Sequence, residues 1–210
     1  MKRSVAVIIF NEESERRDEL KIITNTFYRM NMLVEVLVNK PAEEIQKAIV
    51  ELTEMDGDEI IDIIFVIHAK QVNDYERKFS TIDGKIFDLY KNIINYLLEV
   101  RDFKEKQKYI IFKVNGRDDN SDNLVPFESD REFRCISYGL RTSIVWSEEE
   151  EFIKKFFKDL GDHRNVSTAL QNNSKLITQE ELALVTGDLI LEVPISNPEL
   201  TSEFHEFVIG

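Results

Sequence analysis

The sequence holds one cysteine, Cys135, in 210 residues. A lone thiol closes no intramolecular disulfide and leaves no cysteine–histidine cluster of metal-ligand spacing, so neither a disulfide framework, a bound metal nor any other cofactor is expected. Long hydrophobic runs are also missing. The stretch 60–67 is interrupted by Asp62 and ends at His68, far short of the roughly 20 apolar residues that a membrane helix needs. Basic charge is in deficit: 27 lysines and arginines face 40 acids, for a net charge of −13. That balance argues against nucleic acid or an anionic membrane as a partner, and it disfavours an acidic substrate. The first residues, MKRSVAVIIFNEE, carry two basic residues and a short apolar run but no small-residue cleavage site. They read as the first strand of a cytosolic protein rather than as a signal peptide. Internal repeats and low-complexity tracts are absent.

What is present is an alternation of two periods. Strand-like apolar runs fall at 4–10, 32–38, 62–67 and 109–114, with a shorter one at 133–138 and a last extended segment at 189–195. Between them lie helical patterns: 18–30, with Leu20, Ile23, Phe27 and Met30 on one stripe; Pro41 through Leu52, opened by proline and two acids; and 87–100, with Leu89, Ile93, Tyr96, Leu97 and Val100 inward. Asp83-Gly84 marks a turn, and further helices are expected at about 149–160 and 167–173. Strands separated by helices imply an α/β fold, a mostly parallel central sheet of about six strands covered by helices on both faces.

One strand end raises a chemical question. "IIFKVNG", residues 110–116, delivers Asn115 to the place where α/β proteins commonly set their reactive groups. An amide is neither a nucleophile nor an acid–base group, and capping or bonding loop backbone is the role it suggests. His68 ends the earlier strand "IIFVIHAK", 47 residues before Asn115.

In order and spacing these elements resemble the catalytic domain of caspases, the cysteine proteases that cut after aspartate. That family carries its nucleophile in a Q-A-C-x-G stretch at a strand end, with a histidine about 50 residues upstream. Here "FKVNG" matches that stretch and "IIFVIHAK" the histidine strand. "TNTFYRMNMLVEV" with "KPAEEIQKAI", "IDGKIFDLYKNIINYL" and "VPISNPELTSEFHEF" match further segments, so the likeness runs over nearly the whole chain. It implies a caspase-like three-layer sandwich: a large-subunit-like part over about 1–117, a polar linker over about 118–130, a small-subunit-like part over about 131–210, and no prodomain.

The resemblance also implies what is lost. The family's nucleophile position holds Asn115, which cannot form an acyl-enzyme. Lys113 stands for the pocket glutamine. By ungapped counting Glu13 stands for one substrate-clamping arginine, with Arg16 and Arg17 nearby. In "VWSEEEEF", Trp146 is kept and Ser147 stands for the second arginine, followed by Glu148 to Glu151, read as the first turn of a helix. Ala69 replaces the glycine of the oxyanion loop, and His68, without a thiol, reads as a relic hydrogen-bonded near the surface. Cys135 lies mid-strand as a small hydrophobe, and Asp118, Asp119, Asp122 and Asp130 are possible linker cleavage points.

The expectation is a pseudocaspase: not an enzyme, but a cytoplasmic regulator of apoptosis that binds a caspase or a caspase-regulating protein. An inhibitory decoy is the first reading, and an activating heterodimer partner the alternative. Caspases pair across a two-fold axis through their closing strand. The matching segment here, Val193, Pro194, Ile195, Ser196, Asn197 and Pro198, is the candidate interface for a homodimer or heterodimer. Pro198 lacks an N–H and either disfavours self-pairing or ends the strand. A reading from another class is a weak hydrolase using His68 with Ser137 or Ser143.

Overall fold

The computed structural model describes residues 2–11, 16–72, 78–104, 106–118, 123–128, 142–185 and 189–194, the last stretch and residues 178–185 as backbone only. Its first unit is β1 (Arg3–Phe10), α1 (Arg17–Arg29) and β2 (Leu33–Val38), and α2 (Ala42–Thr53) leads into β3 (Ile60–Gln71). A hairpin of β4 (Lys78–Ser80) and β5 (Lys85–Asp88) turns at Asp83-Gly84, where Gly84 takes φ +70°. A π-helical stretch, Tyr90–Ile94, runs into α3 (Asn95–Glu99), followed by α4 (Arg101–Lys104) and β6 (Gln107–Arg117). The chain continues with β7 (Val125–Pro126), β8 (Thr142–Ser147), α5 (Phe152–His163), α6 (Val166–Asn172), β9 (Thr178–Val185) and β10 (Leu189–Pro194).

The main sheet runs β2-β1-β3-β6-β8-β9-β10, parallel as far as β8 and antiparallel beyond it. The β4–β5 hairpin branches from the end of β3, and β7 pairs with β5. Helices cover both faces, as the alternating pattern predicts. Because the central strands are buried on both sides, they are apolar at nearly every position. On one face Val7, Ile9, Phe65, Ile67, Ile110 and Phe112 meet Ile45 and Ile49 of α2, Ile93 and Leu97. On the other, Ala6, Ile8, Ile64, Val66, Ile111 and Val145 meet Ile23 and Phe27 of α1 and Phe156, Phe157 and Leu160 of α5. Phe27 packs edge-on against Phe157 with centroids 5.4 Å apart.

Several expectations need correction. The sheet has more than six strands, because β9 and the short β4, β5 and β7 carry too few residues to show a period. The helix expected from Phe87 starts later: Phe87 and Asp88 extend β5, and Asp88 Oδ1 accepts from the backbone N–H of Tyr90 (2.9 Å) and Lys91 (3.1 Å), which caps the helix. The strand before the glutamates is Thr142–Ser147; the strand expected at 133–138, with Cys135 and Ser137, lies outside the described residues. Glu148 to Glu151 precede α5 rather than forming its first turn, with Glu151 at the N-cap. Both β3 and β6 also run past their expected ends, to Gln71 and Arg117. The linker stretch includes β7, and Phe127 stacks on Phe87 at 5.7 Å.

Candidate functional site

Register brings four side chains into a row across the carboxyl ends of the parallel strands. Phe10 of β1 is opposite His68 of β3, His68 opposite Lys113 of β6, and Lys113 opposite Ser147 of β8. Side chains alternate along a strand, so this row shares the face of Ile8, Val66, Ile111 and Val145, under α1 and α5.

His68 is not near the surface, as a relic histidine would be; it is 0 % exposed. Its ring stacks on Phe10 with centroids 4.1 Å apart and planes 16° from parallel. Nε2 lies 2.8 Å from Oε2 of Glu19, which enters from the first turn of α1 and is itself buried. The carboxylate can only accept, so Nε2 carries the proton; Nδ1 is buried without a hydrogen-bond partner. Burial alone would raise the Glu19 pKa. The hydrogen bond and charge of His68, with Arg16 and Lys113, outweigh that and hold the carboxyl below its ordinary value. Arg16 Nη1 stands 3.9 Å from Glu19 Oε1.

Lys113 is buried to 1 % exposure and gives its ammonium hydrogens to the carbonyls of Val114 (3.0 Å) and Glu148 (2.9 Å). Burial and the neighbouring Arg16 push its pKa below the ordinary lysine value, and Glu19, Glu150 and Glu148 oppose them. Ser147 is also buried: its hydroxyl donates to the Leu176 carbonyl (2.5 Å) and accepts from the Glu149 N–H (3.1 Å). Trp146 points to the opposite face and packs against that core. The row is a closed set of internal hydrogen bonds, with every polar group turned toward another part of the chain except Nδ1.

Ala69 is not in a loop. It is a buried residue of β3, paired with Val114 of β6 and packed in the core. Asn115 is half-buried on β6, just before Gly116, whose φ of +87° marks an irregularity where Asn115 and Gly116 together face one residue of β3. The segments expected to form loops around a nucleophile are ladder instead. Asn115 lies two residues beyond Lys113, the partner of His68, so its Cα is about 8 Å from that of His68. Ser143 sits at the other end of β8, opposite Tyr109 and buried. Four residues of strand and two strand spacings separate it from His68, about 16 Å, so the structure does not bring this pair together. Glu13 lies outside the described residues, as do Ile195, Ser196, Asn197 and Pro198; Val193 and Pro194 end β10, paired with Glu181 and Glu180 of β9.

Sequence reasoning missed Glu19 and Phe10. A signal for Glu19 exists: it lies four residues before Ile23 and eight before Phe27, so a carboxylate occupies the apolar stripe of α1. No protein-family model matches the sequence, and no curated protein matches it. Solved structures do. The Drosophila initiator caspase Dronc aligns with a TM-score of 0.61 at 15 % identity, covering 81 % of this chain and 71 % of that one. Caspase-1 from Spodoptera frugiperda gives 0.59 at 16 % identity, covering 81 % and 74 %, and the structure of pro-sf-caspase-1 gives 0.59 at 13 %, covering 92 % and 89 %.

The fold is caspase-like.

At these identities the likeness is one of architecture, and the site is judged on its own side chains. In the caspase-like frame the histidine strand and the FKVNG strand stand side by side, as the sequence resemblance implies. The histidine is bonded to a carboxylate of the same chain, and the residue at the nucleophile position is an amide. Among the described residues no group of three histidine, cysteine, aspartate or glutamate side chains is placed to hold a metal ion.

Proposed function

We propose that this caspase-like chain is a pseudoprotease that regulates a caspase pathway by protein–protein contact, acting as an inhibitory decoy. The observation that carries the reading is the closed row at the strand ends. His68 is committed to Glu19 and stacked on Phe10, Lys113 is committed to two backbone carbonyls, and the position two residues past Lys113 is an asparagine. Acyl transfer needs a nucleophile and a base within reach of each other and of solvent-borne substrate. Removing one member of such a set costs about 10⁶-fold in kcat.

What a chain of this kind keeps is a surface. β10 pairs with β9 and has no other strand partner among the described residues, and a sheet edge offers unpaired N–H and C=O groups to another chain. The proposed interface is the closing segment that begins at Val193 and Pro194 and continues through Ile195, Ser196, Asn197 and Pro198. In the same reading the large-subunit-like part ends near residue 117 and the small-subunit-like part begins near 131. The site of action is the cytoplasm; among the described residues no helix is long and apolar enough to cross a membrane.

The test is a titration of the purified chain into active and zymogen caspases, following cleavage of aspartyl reporter peptides and native mass together. A stoichiometric fall in activity with a heterodimer mass is the expected result. A rise in zymogen activity would convert the reading to activation, and no complex with any caspase would refute it.

A further inference from the structure

The amino ends of the strands, opposite His68, hold a second feature. A cleft of about 320 Å³ opens between the start of β1, the start of β3, the α1–β2 turn and the α5–α6 turn. Its wall carries Lys2, Arg3 and Arg164. None of the three makes an ion pair with another described residue, whereas Lys21, Lys40, Lys47, Lys85 and Lys155 all sit against carboxylates. In a chain of net charge −13, three uncompensated cations around one concavity make a local field opposite in sign to the rest of the molecule.

The acid in the lining is muted. Asp62 accepts a hydrogen bond from the Ser4 hydroxyl at 3.3 Å, and burial raises its pKa. Backbone geometry builds the rim: Asn31 and Arg164 both take left-handed conformations, φ 58° and 52°. These conformations end α1 and α5 abruptly beside the strand ends. Ile64 and Val166, both buried, supply an apolar floor. The volume is at the lower end of the range for small-molecule sites, and a few cations converging over an apolar floor is their usual composition.

We propose that this cleft binds a small phosphorylated metabolite. Lys2, Arg3 and Arg164 hold the phosphate, and the body of the ligand lies over Ile64 and Val166. Arginine forks match phosphate oxygens in pairs, and a dianion answers three cations better than a monocarboxylate does. The site is independent of the pseudoprotease reading, since it occupies the other end of the sheet.

The experiment is calorimetric titration of the full chain with inorganic pyrophosphate and, separately, with adenosine monophosphate, at low salt and at about 0.15 M salt. Saturable one-to-one binding of both is expected, weaker at the higher salt. Arg3→Gln and Arg164→Gln should each weaken it about tenfold, and Lys21→Gln, on α1 away from the cleft, should leave it unchanged. Arg3 is exposed at the start of β1, so its variant tests binding even where Arg164→Gln perturbs the turn. Absence of saturable heat with either probe, or equal affinity in all variants, would overturn the proposal. Sedimentation with phosphatidylserine vesicles separates a free metabolite from a lipid headgroup. The chain should stay in the supernatant, and recruitment to vesicles without pyrophosphate binding would overturn the small-molecule assignment.

Discussion

Replacing Glu19 with alanine removes the acceptor 2.8 Å from Nε2 of His68 and leaves an imidazole N–H buried at 0 % exposure. Nδ1 already lacks a hydrogen-bond partner, and the ring is stacked on Phe10, so a rotation of the imidazole recovers nothing. A buried donor deprived of its partner costs about 1–3 kcal/mol, and loss of a charged partner lies at the upper end. Arg16 and Lys113 lose their neighbouring carboxylate as well. We expect Glu19→Ala to lower stability by about 3 kcal/mol, a fall in Tm of about 6–12 °C for a chain of this length. Glu19→Gln keeps an oxygen acceptor and should cost about 1 kcal/mol. Urea unfolding followed by Trp146 fluorescence measures both. Glu44→Ala is the control, because Glu44 pairs with Lys40 at the surface and should change stability by about 0.5 kcal/mol or less. The pH dependence has a definite sign. The fold lowers the Glu19 pKa, so its contribution is complete above the unfolded value of about 4.3 and is lost as pH falls through the lower folded value. The gap between the native chain and Glu19→Gln should narrow over that interval. Equal effects of Glu19→Ala and Glu44→Ala would refute the claim that this carboxylate organises the strand ends.

Other perturbations probe separate parts of the argument. Asn115→Cys should leave aspartyl-peptide cleavage at background, because His68 remains bonded to Glu19; a reporter-peptide assay reads this directly. His68→Ala should leave binding to a caspase partner unchanged in the folded fraction, as measured by native mass. Gly57→Ala places a Cβ 2.3 Å from Cβ of Asp102 and should cost about 2 kcal/mol by overpacking. Gly116→Ala meets no atom within 4 Å but must hold φ +87°, so thermal melts should show a smaller loss of about 1 kcal/mol. Asp88→Ala removes the acceptor for two helix N–H groups, and chemical denaturation should show about 1 kcal/mol.

The sequence made the large elements legible wherever a period ran long enough. The stripe of Ile23 and Phe27 set α1, and the apolar run through Phe65 to Ile67 set β3. Short pairing elements carried no such signal: Lys78–Ser80 and Val125–Pro126 are strands because a neighbour completes their ladder. The helix start was misplaced because Phe87 fits both an apolar helix stripe and a strand, and pairing with Phe79 decides. The site was legible as positions but not as chemistry. His68 and Asn115 were found by spacing, while the burial of His68 depends on Glu19, 49 residues away in sequence. Lys113 was read as a damaged pocket group, and only its contact with the Glu148 carbonyl shows the ammonium spent inside the fold.

The π-helical stretch Tyr90–Ile94 carries a consequence for how this chain tolerates changes of length. A π turn holds one residue more than an α turn. Deleting a single residue within it would leave a regular α-helix but rotate everything downstream by about 100°, carrying Tyr96 and Leu97 off the core face they occupy. Asn92 sits inside the stretch, fully buried, with its Nδ2 on Gln46 Oε1 (3.2 Å), its carbonyl accepting from Gln46 Nε2 (3.3 Å) and its Oδ1 accepting from the Asp88 N–H (3.0 Å). These contacts pin the extra residue to α2 and to the end of β5, so the helix is fixed in phase from its first turn. Natural variants of this chain that gain or lose a residue should therefore do so in the turns flanking the helix, and a deletion inside it should survive only with a compensating insertion before Val100.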